Sequence, residues 1–213
     1  MDQLNQQYMQ FGCGMCAPEG WMNFDAGPAF WLQNKFSFLT PMLVKKGFPP
    51  YPKNIAYGDV IKGLPVRPQS LEAVYSSHVL EHMTLQEFRT TIRNVYHYLR
   101  PGGTFRMVLP DLEQLARTYL QDESQDAASR FMQQAHLGEK NGNRGVRSLP
   151  AALFGRSKHL WMWDYKGIKS ELADAGFVSI RRAQCGDSPD PHFQSVEDEG
   201  RWVDCLGVDC KRP

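Results

Sequence analysis

Residues 71–109 read LEAVYSSHVLEHMTLQEFRTTIRNVYHYLRPGGTFRMVL and contain three predicted elements. The first part, LEAVYSS, is apolar enough to form a buried strand. Thr84, with Glu87 three residues later, is typical of a capping box at the start of a helix, and apolar residues at helical spacing follow it. The RPGG run is expected to end that helix, and TFRMVL reads as a second buried strand. A strand, a helix and a strand in this order indicate one parallel crossover unit.

Shorter predicted elements on both sides continue the alternation. Strands are predicted at residues 8–11, 20–25, 54–57, 178–183 and 202–210. Helices are predicted at residues 112–120 and 166–175, and an irregular helix followed by a loop is predicted within residues 29–52. Because strands alternate with helices, we expect an α/β fold with a mostly parallel sheet and helices on both faces.

The length and composition favour one ordinary globular domain. The chain has 213 residues, of which 42% are hydrophobic and 22% charged, enough to bury a core without disulfides. We expect a single domain over residues 1–213, with an insertion at about 121–158 that forms a helix and then a mobile loop. The net charge of +1 gives no electrostatic reason to expect nucleic acid or a membrane as partner. A polar N-terminus and the lack of a long apolar run predict a cytoplasmic location.

The spacing of cysteine and histidine gives little support for a metal site. The chain has five cysteines, an odd number that fits reduced thiols. Cys13 and Cys16 form a C-x-x-C pair, but no second pair at similar spacing accompanies it. His78 and His82 stand four residues apart and could share one helix face, but the sequence shows no third ligand. We therefore predict no metal cofactor.

Small or acidic residues follow three consecutive predicted strands. Gly12 and Gly14 come after the first strand, where the lack of a side chain lets the backbone approach a ligand. Asp25 ends the second strand, where a carboxylate can accept both hydroxyls of a ribose. Asp59 follows the third strand, where it can accept from the exocyclic amine of adenine. Since ligands of parallel sheets bind beyond the carboxyl ends of the strands, these residues predict one nucleoside-binding edge.

Several segments resemble class I S-adenosylmethionine-dependent methyltransferases. They are GDVIKGLP at 58–65, AVYSSHVLEH at 73–82, LRPGGTFR at 99–106, HLWMWD at 159–164 and LADAGF at 172–177. The chain looks most like a small, type 11-like branch in which the glycine-rich turn is followed almost at once by a GW-x-N-x-D strand. The resemblance implies a Rossmann-like sheet of seven strands, a first crossover helix that is shortened or missing, and S-adenosyl-L-methionine as cofactor.

The resemblance also implies roles for individual residues. The cofactor would contact Phe11, Gly12, Gly14, Asp25, Asp59, Val60, Ser77 and His78. His78 is the first candidate for a catalytic base, because imidazole titrates near neutral pH. The acceptor would meet His159, Trp161 and Trp163, although the two tryptophans could equally cover the sheet.

We expect the acceptor to be a small or medium polar molecule. Arg144, Arg147 and Arg156 are either solvated charges or contacts for an anionic acceptor. With 24 Lys and Arg against 23 Asp and Glu, the chain has no general basic face for DNA or RNA. The predicted activity is therefore methyl transfer to a small molecule.

Departures from the family pattern keep other functions open. Gln10 stands where the family has an acidic residue, and Cys16 replaces the third glycine. Only ten residues separate Gly14 from Asp25, too few for the full helix that normally connects these strands. A catalytically inactive S-adenosylmethionine-binding protein of the same fold is therefore the alternative. A nicotinamide-dependent oxidoreductase is disfavoured, because Pro18 interrupts the helix that its G-x-G-x-x-G turn must open.

Overall fold

The computed structural model of the chain describes residues 6–36, 38, 40–45, 49–138 and 158–213. The strands are β1 (Tyr8–Phe11), β2 (Trp21–Asp25), β3 (Ile55–Tyr57), β4 (Leu71–Ser77), β5 (Leu99–Pro110), β6 (Val178–Ala183) and β7 (Cys205–Lys211). The α-helices are α1 (Pro28–Lys35), α2 (Thr40–Lys45), α3 (Leu85–Tyr98), α4 (Leu112–Gln121), α5 (Ala127–Gln134) and α6 (Tyr165–Asp174). Short 3-10 turns occupy Leu80–His82, Pro191–Ser195 and Glu199–Arg201.

The strands form one sheet in the order β3-β2-β1-β4-β5-β7-β6. β1 pairs in parallel with β2 and β4, while β3 and β5 extend the parallel part on either side. β7 is antiparallel to both of its neighbours, β5 and β6. The predicted α/β fold with a mostly parallel, seven-stranded sheet is therefore confirmed. Strand order reverses between β1 and β4, which is the switch point where sheets of this kind bind ligands.

The central unit forms as predicted, with one difference where the helix meets the next strand. Thr84 caps α3 through the predicted capping box, and the apolar face of the helix packs in the main core. β5 begins at Leu99 directly after α3, and residues 100–103 form a bulge where the pairing with β4 shifts register between Leu71 and Ala73. A Cβ at Gly103 would lie 2.9 Å from the carbonyl oxygen of Leu71. Glycine therefore lets β5 start close against β4.

Other predicted elements need small corrections. Residues 29–52 contain two helices, α1 and α2, where one irregular helix was predicted. β7 begins at Cys205 and not at residue 202, because a 3-10 turn and a bend precede it. The predicted insertion contains α5, whereas residues 139–157 lie outside the described part of the chain. Also outside it are the predicted loop residues Arg144, Arg147 and Arg156. Among the described residues, no helix is both long and apolar enough to cross a membrane.

The connection between β1 and β2 contains no helix, as the resemblance implied. Three side-chain amides bind its consecutive carbonyl groups instead. The pairs, each joining a side-chain nitrogen to a main-chain oxygen, are Gln10 to Cys16 at 2.8 Å, Asn54 to Ala17 at 2.6 Å and Asn23 to Pro18 at 3.2 Å. Gln10 also donates to Asn23 Oδ1 over 2.6 Å. An acidic side chain has no donor for these contacts, so Gln10 is part of how this chain stabilises a helix-free connection.

A C-terminal segment, residues 184–202, covers the sheet beside this connection. Phe193 and Val196 of this segment pack against Trp21, Tyr75 and Val108 in a cluster separate from the main core. Two 3-10 turns of this segment cover the sheet here, at a place where an α/β fold is expected to have an α-helix.

Arg106 of β5 holds the C-terminal segment in place. Its side chain is fully buried and donates to the carboxylates of Glu197 and Asp209 and to the carbonyl of Gln184. The guanidinium carbon also lies 4.8 Å from the centre of the Trp202 ring. A buried cation that loses its partners costs about 3–5 kcal/mol, so the segment is tied firmly to the sheet.

Replacing Gln10 by the acidic residue of the family pattern should destabilise this protein. Gln10→Glu removes both hydrogen bonds of the amide and sets a buried carboxylate against two oxygen acceptors. The free energy of unfolding, measured by urea denaturation, should fall by about 1–3 kcal/mol or more. Gln133→Glu, at an exposed position of α5, is the matched control and should change it by less than about 0.5 kcal/mol. An unchanged stability of Gln10→Glu would contradict the proposed role of the amide.

Candidate functional site

Asp25 joins the end of β2 to the glycine turn after β1. Its carboxylate accepts from the main-chain nitrogen of Gly14 over 2.8 Å and from that of Gly27 over 2.6 Å. The side chain is buried, and both of its oxygens hold the surrounding turns. Each carboxylate oxygen has a further lone pair, so Asp25 can also accept from a ligand hydroxyl. Asp25 therefore shapes the turn as well as offering acceptors at the sheet edge.

The two glycines of this turn differ in their surroundings. Both have left-handed backbone, with φ of +64° at Gly12 and +54° at Gly14. A Cβ at Gly12 would collide with Cγ2 of Val79, so a protein side chain approaches this glycine where a ligand was expected. A Cβ at Gly14 would meet no described atom within 4 Å, so the space beside Gly14 is open. Phe11 packs its ring in the core, which leaves its main chain to face the turn.

Asp59 begins a tight turn directly after β3. Its Oδ1 accepts from the main-chain nitrogen of Ile61 over 3.0 Å, and its Oδ2 lies 3.3 Å from Lys62 Nζ. Val60 is buried, and its carbonyl accepts from Asn94 Nδ2 over 2.8 Å. Since β2 and β3 are parallel, the carboxylate of Asp59 lies at the same edge of the sheet as the end of β2.

His78 follows β4 with a φ of 56°, which is unusual for a residue with a side chain. Both of its ring nitrogens are engaged: Nδ1 lies 3.1 Å from Ser77 Oγ, and Nε2 lies 3.4 Å from Cys205 Sγ. Arg201 donates to Ser77 Oγ over 3.0 Å and to the Ser77 carbonyl over 2.8 Å. Burial, together with the nearby Arg201 and His82, lowers the pKa of His78 to about 4. The ring is therefore neutral at pH 7.

Two cavities adjoin these consecutive residues at the switch point of the sheet. The first cavity, of 230 Å³, is lined by Ser77 and extends to the glycine turn. Its further lining includes Gln10, Gly12, Cys16, Glu197 and Arg201. The second cavity, of 340 Å³, is lined by His78 and extends toward α4 and α5. Its further lining includes Gln114, Thr118, Gln134, His136, His159 and Cys205.

Only one of the three predicted acceptor residues lies in the second cavity. His159 is 8% exposed and lines this cavity. Trp163 is 4% exposed and packs against Phe88 with ring centroids 4.3 Å apart, so it belongs to the core. Trp161 is exposed, with its ring 6.1 Å from that of Trp163. Trp163 thus belongs to the core, and Trp161 lies beside it at the surface.

A cluster of titratable side chains lies beside the second cavity. Glu81, His82 and His159 each offer one ligand atom, and these atoms lie within 4.8 Å of one another. Burial raises the pKa of Glu81 to about 7, and burial with the nearby His82 lowers the pKa of His159 to about 4. His78, four residues before His82, takes no part in this cluster, because its ring nitrogens contact Ser77 and Cys205.

Sequence reasoning missed Arg201 and Cys205, although both reach the surroundings of His78. Their contacts to Ser77 and His78 span 124 and 127 residues of the chain, and neither stands in a recognisable motif. It also passed over Glu81, for which a signal was present. A carboxylate among the apolar residues of the run VLEHM is expected to be buried and to need a partner.

The neutral state of His78 predicts that acid weakens the fold. The pKa of its ring falls from 6.5 to about 4 on folding, so the unfolded chain binds more protons between these two values. His78 should therefore lower the free energy of unfolding as the pH falls from about 6.5 to about 4. We expect His78→Asn to reduce this loss in urea denaturation series at several pH values. His97→Asn, at an exposed position of α3, is the control; equal pH dependence in all three proteins would contradict the assignment.

Part of the sequence matches the model of a known protein family. Residues 41–107 match the family model described as a methyltransferase domain. The matched stretch includes β3, β4 and most of β5, but the glycine turn and Asp25 precede it. No curated protein matches the sequence significantly.

Solved structures of methyltransferases align with nearly the whole length of this chain. One is a protein described as a methyltransferase in complex with the Haloferax volcanii methyltransferase activator, with a TM-score of 0.51, 14% identity, and coverage of 98% of this chain and 83% of that one. Another is a SAM-dependent methyltransferase from Archaeoglobus fulgidus, with a TM-score of 0.50, 14% identity and coverage of 96% and 85%. A third is Haemonchus contortus phosphoethanolamine N-methyltransferase 2 in complex with S-adenosyl-L-methionine, with a TM-score of 0.50, 12% identity and coverage of 98% and 49%.

At these identities the likeness establishes the fold alone, and this chain spans about half the length of the Haemonchus enzyme. The resemblance seen in the sequence is nevertheless confirmed at this level. The chain has the fold of the class I S-adenosylmethionine-dependent methyltransferase superfamily, and its residues 41–107 match the methyltransferase domain family.

Proposed function

We propose that this chain transfers a methyl group from S-adenosyl-L-methionine to a small or medium polar acceptor. The observation that carries the proposal is the pair of cavities lined by the consecutive residues Ser77 and His78, at the switch point between β1 and β4. Methyl transfer requires a cofactor site and an acceptor site with a common boundary, because the two reacting atoms must come into line at close range. The two cavities are lined by residues that are neighbours in the chain, and we propose them as these two sites.

The cofactor side of the proposal rests on the groups around the glycine turn. The open space beside Gly14 and the acceptor oxygens of Asp25 and Asp59 fit a nucleoside that offers hydroxyl and amine donors. Arg201 lines the first cavity and offers a guanidinium to a carboxylate. In this proposal Arg201 meets the amino-acid carboxylate of S-adenosylmethionine in the first cavity, and Asp25 and Asp59, which lie outside the lining of that cavity, hold the ribose and the adenine beyond it. The other proposed contacts are Phe11, Gly12, Val60, Ser77 and His78.

Residues of this chain would align the acceptor and handle its proton. S-adenosylmethionine supplies a methyl group that is already activated on a sulfonium. A protein then contributes alignment and, for an O–H or N–H acceptor, removal of a proton. His78 is neutral at pH 7, and Ser77 and Cys205 fix the plane of its ring. We assign His78 acceptance of this proton as the new bond forms, which requires one ring nitrogen to give up its contact with Ser77 or Cys205.

The second cavity is proposed as the acceptor site. Its volume of 340 Å³ falls within the roughly 300–1,000 Å³ of most small-molecule pockets. Gln114, Thr118 and Gln134 give it hydrogen-bonding groups, and its described lining contains neither Lys nor Arg. This lining and the net charge of +1 support a small polar acceptor over a nucleic acid. A cytoplasmic location is part of the same proposal, and cell fractionation would test it.

A cofactor-binding protein without transferase activity is the second candidate. The helix-free connection after the glycine turn, and Gln10 in place of the acidic residue of the family pattern, favour this candidate. The two candidates differ in turnover. A transferase converts S-adenosylmethionine to S-adenosylhomocysteine in the presence of its acceptor, whereas a binding protein leaves the cofactor unchanged.

Calorimetric titration with S-adenosylhomocysteine tests the cofactor site directly. The wild-type chain should bind one equivalent, and Asp59→Ala should weaken binding by about 1.5–3 kcal/mol, the scale of hydrogen bonds to a charged acceptor. Asp25→Ala should weaken binding similarly and also lower the melting temperature, because it releases the main-chain nitrogens of Gly14 and Gly27. Asp126→Ala, at an exposed position before α5, is the control. If the wild type shows no heat of binding and no shift of its melting temperature with S-adenosylhomocysteine, the proposed cofactor site is wrong.

A further inference from the structure

Glu81 has a carboxylate that the fold buries without a hydrogen bond from any described residue. The side chain is 1% exposed, and among the described residues neither of its oxygens has a hydrogen bond. A buried carboxyl group needs compensation in either state: the ionised form needs donors or a cation, and the protonated form needs an acceptor for its O–H. The proposed methyl transfer uses no atom of this side chain. The carboxylate therefore points to a cationic ligand.

His82 is oriented as metal-binding histidines usually are. Its Nδ1 lies 3.0 Å from the carbonyl oxygen of Lys158, which fits donation of the Nδ1 hydrogen and leaves the Nε2 lone pair free. Such a backbone carbonyl behind the ring fixes the tautomer and the direction of a ligating imidazole. The free Nε2 lies 3.9 Å from Glu81 Oε1.

His159 is the third candidate ligand and lies close to Glu81 and His82. The main-chain nitrogens of Leu160 and Trp161 donate to the Glu81 carbonyl over 2.7 and 3.2 Å. These bonds fix the neighbouring His159, whose ring centre lies 5.1 Å from that of His82. The sequence separation between Glu81 and His159 explains why spacing alone showed no third ligand.

We propose that Glu81, His82 and His159 form a site for one divalent transition-metal ion of the zinc type. Two imidazoles and one carboxylate are a common protein ligand set for Zn²⁺, with a fourth position left for water or substrate. Bonds of about 2.0–2.2 Å require ligand atoms roughly 3.4 Å apart, so atoms now within 4.8 Å must close by up to about 1.4 Å. The side chain of His82 is 30% exposed and has room to make this movement.

The metal site would adjoin the second cavity, because His159 belongs to both. Its ion would therefore be available to a polar group of a molecule bound in that cavity, through the fourth position. The proposal goes beyond methyl transfer and does not depend on it, since metal binding can be measured without cofactor or acceptor.

The test uses the full chain, free of any histidine tag, after chelator treatment and dialysis. Zn²⁺ is titrated by calorimetry, and Co²⁺ serves as a spectroscopic probe because its visible absorption reports the coordination geometry. We expect one equivalent of each ion to bind and Zn²⁺ to raise the melting temperature. Glu81→Gln, which keeps the side-chain shape, and His82→Ala, which alters a partly exposed side chain, should each weaken binding at least ten-fold. His97→Ala, exposed in α3 and outside the cluster, should bind like the wild type.

Three results would overturn the proposal. The wild-type chain could show no saturable binding of either ion. Binding could persist unchanged in both Glu81→Gln and His82→Ala, with circular dichroism showing that the variants are folded. The Co²⁺ complex could show a thiolate charge-transfer band, which would assign the ion to cysteines such as Cys13 and Cys16. Failure here would leave the proposed cofactor site untouched, because that site is tested by S-adenosylhomocysteine binding in metal-free protein.

Discussion

The guanidinium of Arg106 lies fully buried under residues 184–202, and these residues cover the part of the sheet beside the helix-free connection from β1 to β2. Three partners of the cation, Gln184, Asp187 and Glu197, come from this segment, so the cation keeps them only while the segment lies on the sheet. Loss of these acceptors would leave a buried, partly unpaired charge, which proteins avoid. The helix-free connection from β1 to β2 is thus accompanied by a C-terminal segment that Arg106 fixes to the sheet.

The position of the C-terminal segment also determines which side chains contact Ser77 and His78. The clamped segment carries Arg201 to Ser77, and the following strand carries Cys205 to the ring of His78. The first cavity is therefore bounded by the C-terminal segment on one side and by the glycine turn on the other. Asp25 holds that turn through Gly14, so the fold stabilises the groups proposed to bind the cofactor before any ligand arrives. Such preorganisation reduces the ordering that binding would otherwise require.

Sequence patterns predicted the helices and strands that depend on contacts between residues close together in the chain. The capping box at Thr84 and the buried strands around α3 follow from side-chain chemistry within a few residues, and the structure has them. The positions of Gly12, Gly14, Asp25 and Asp59 after predicted strands indicated a ligand-binding edge, and the resemblance to methyltransferases added the cofactor expected there. The sequence could not show that Gly12 faces Val79, since that contact joins two loops across the sheet edge. For the same reason it could not bring His159 to Glu81: the contact depends on main-chain hydrogen bonds between distant segments.

A crystal structure of the chain grown with S-adenosylhomocysteine would test the central claim most directly. We expect one ligand at the switch point of the sheet, with its ribose at Asp25, its adenine beside Asp59 and its carboxylate toward Arg201. The turn should need little rearrangement, because Asp25 already holds Gly14 in place. A ligand bound elsewhere on the molecule, or an empty sheet edge in crystals grown at saturating ligand, would contradict the claim that this edge is a cofactor site.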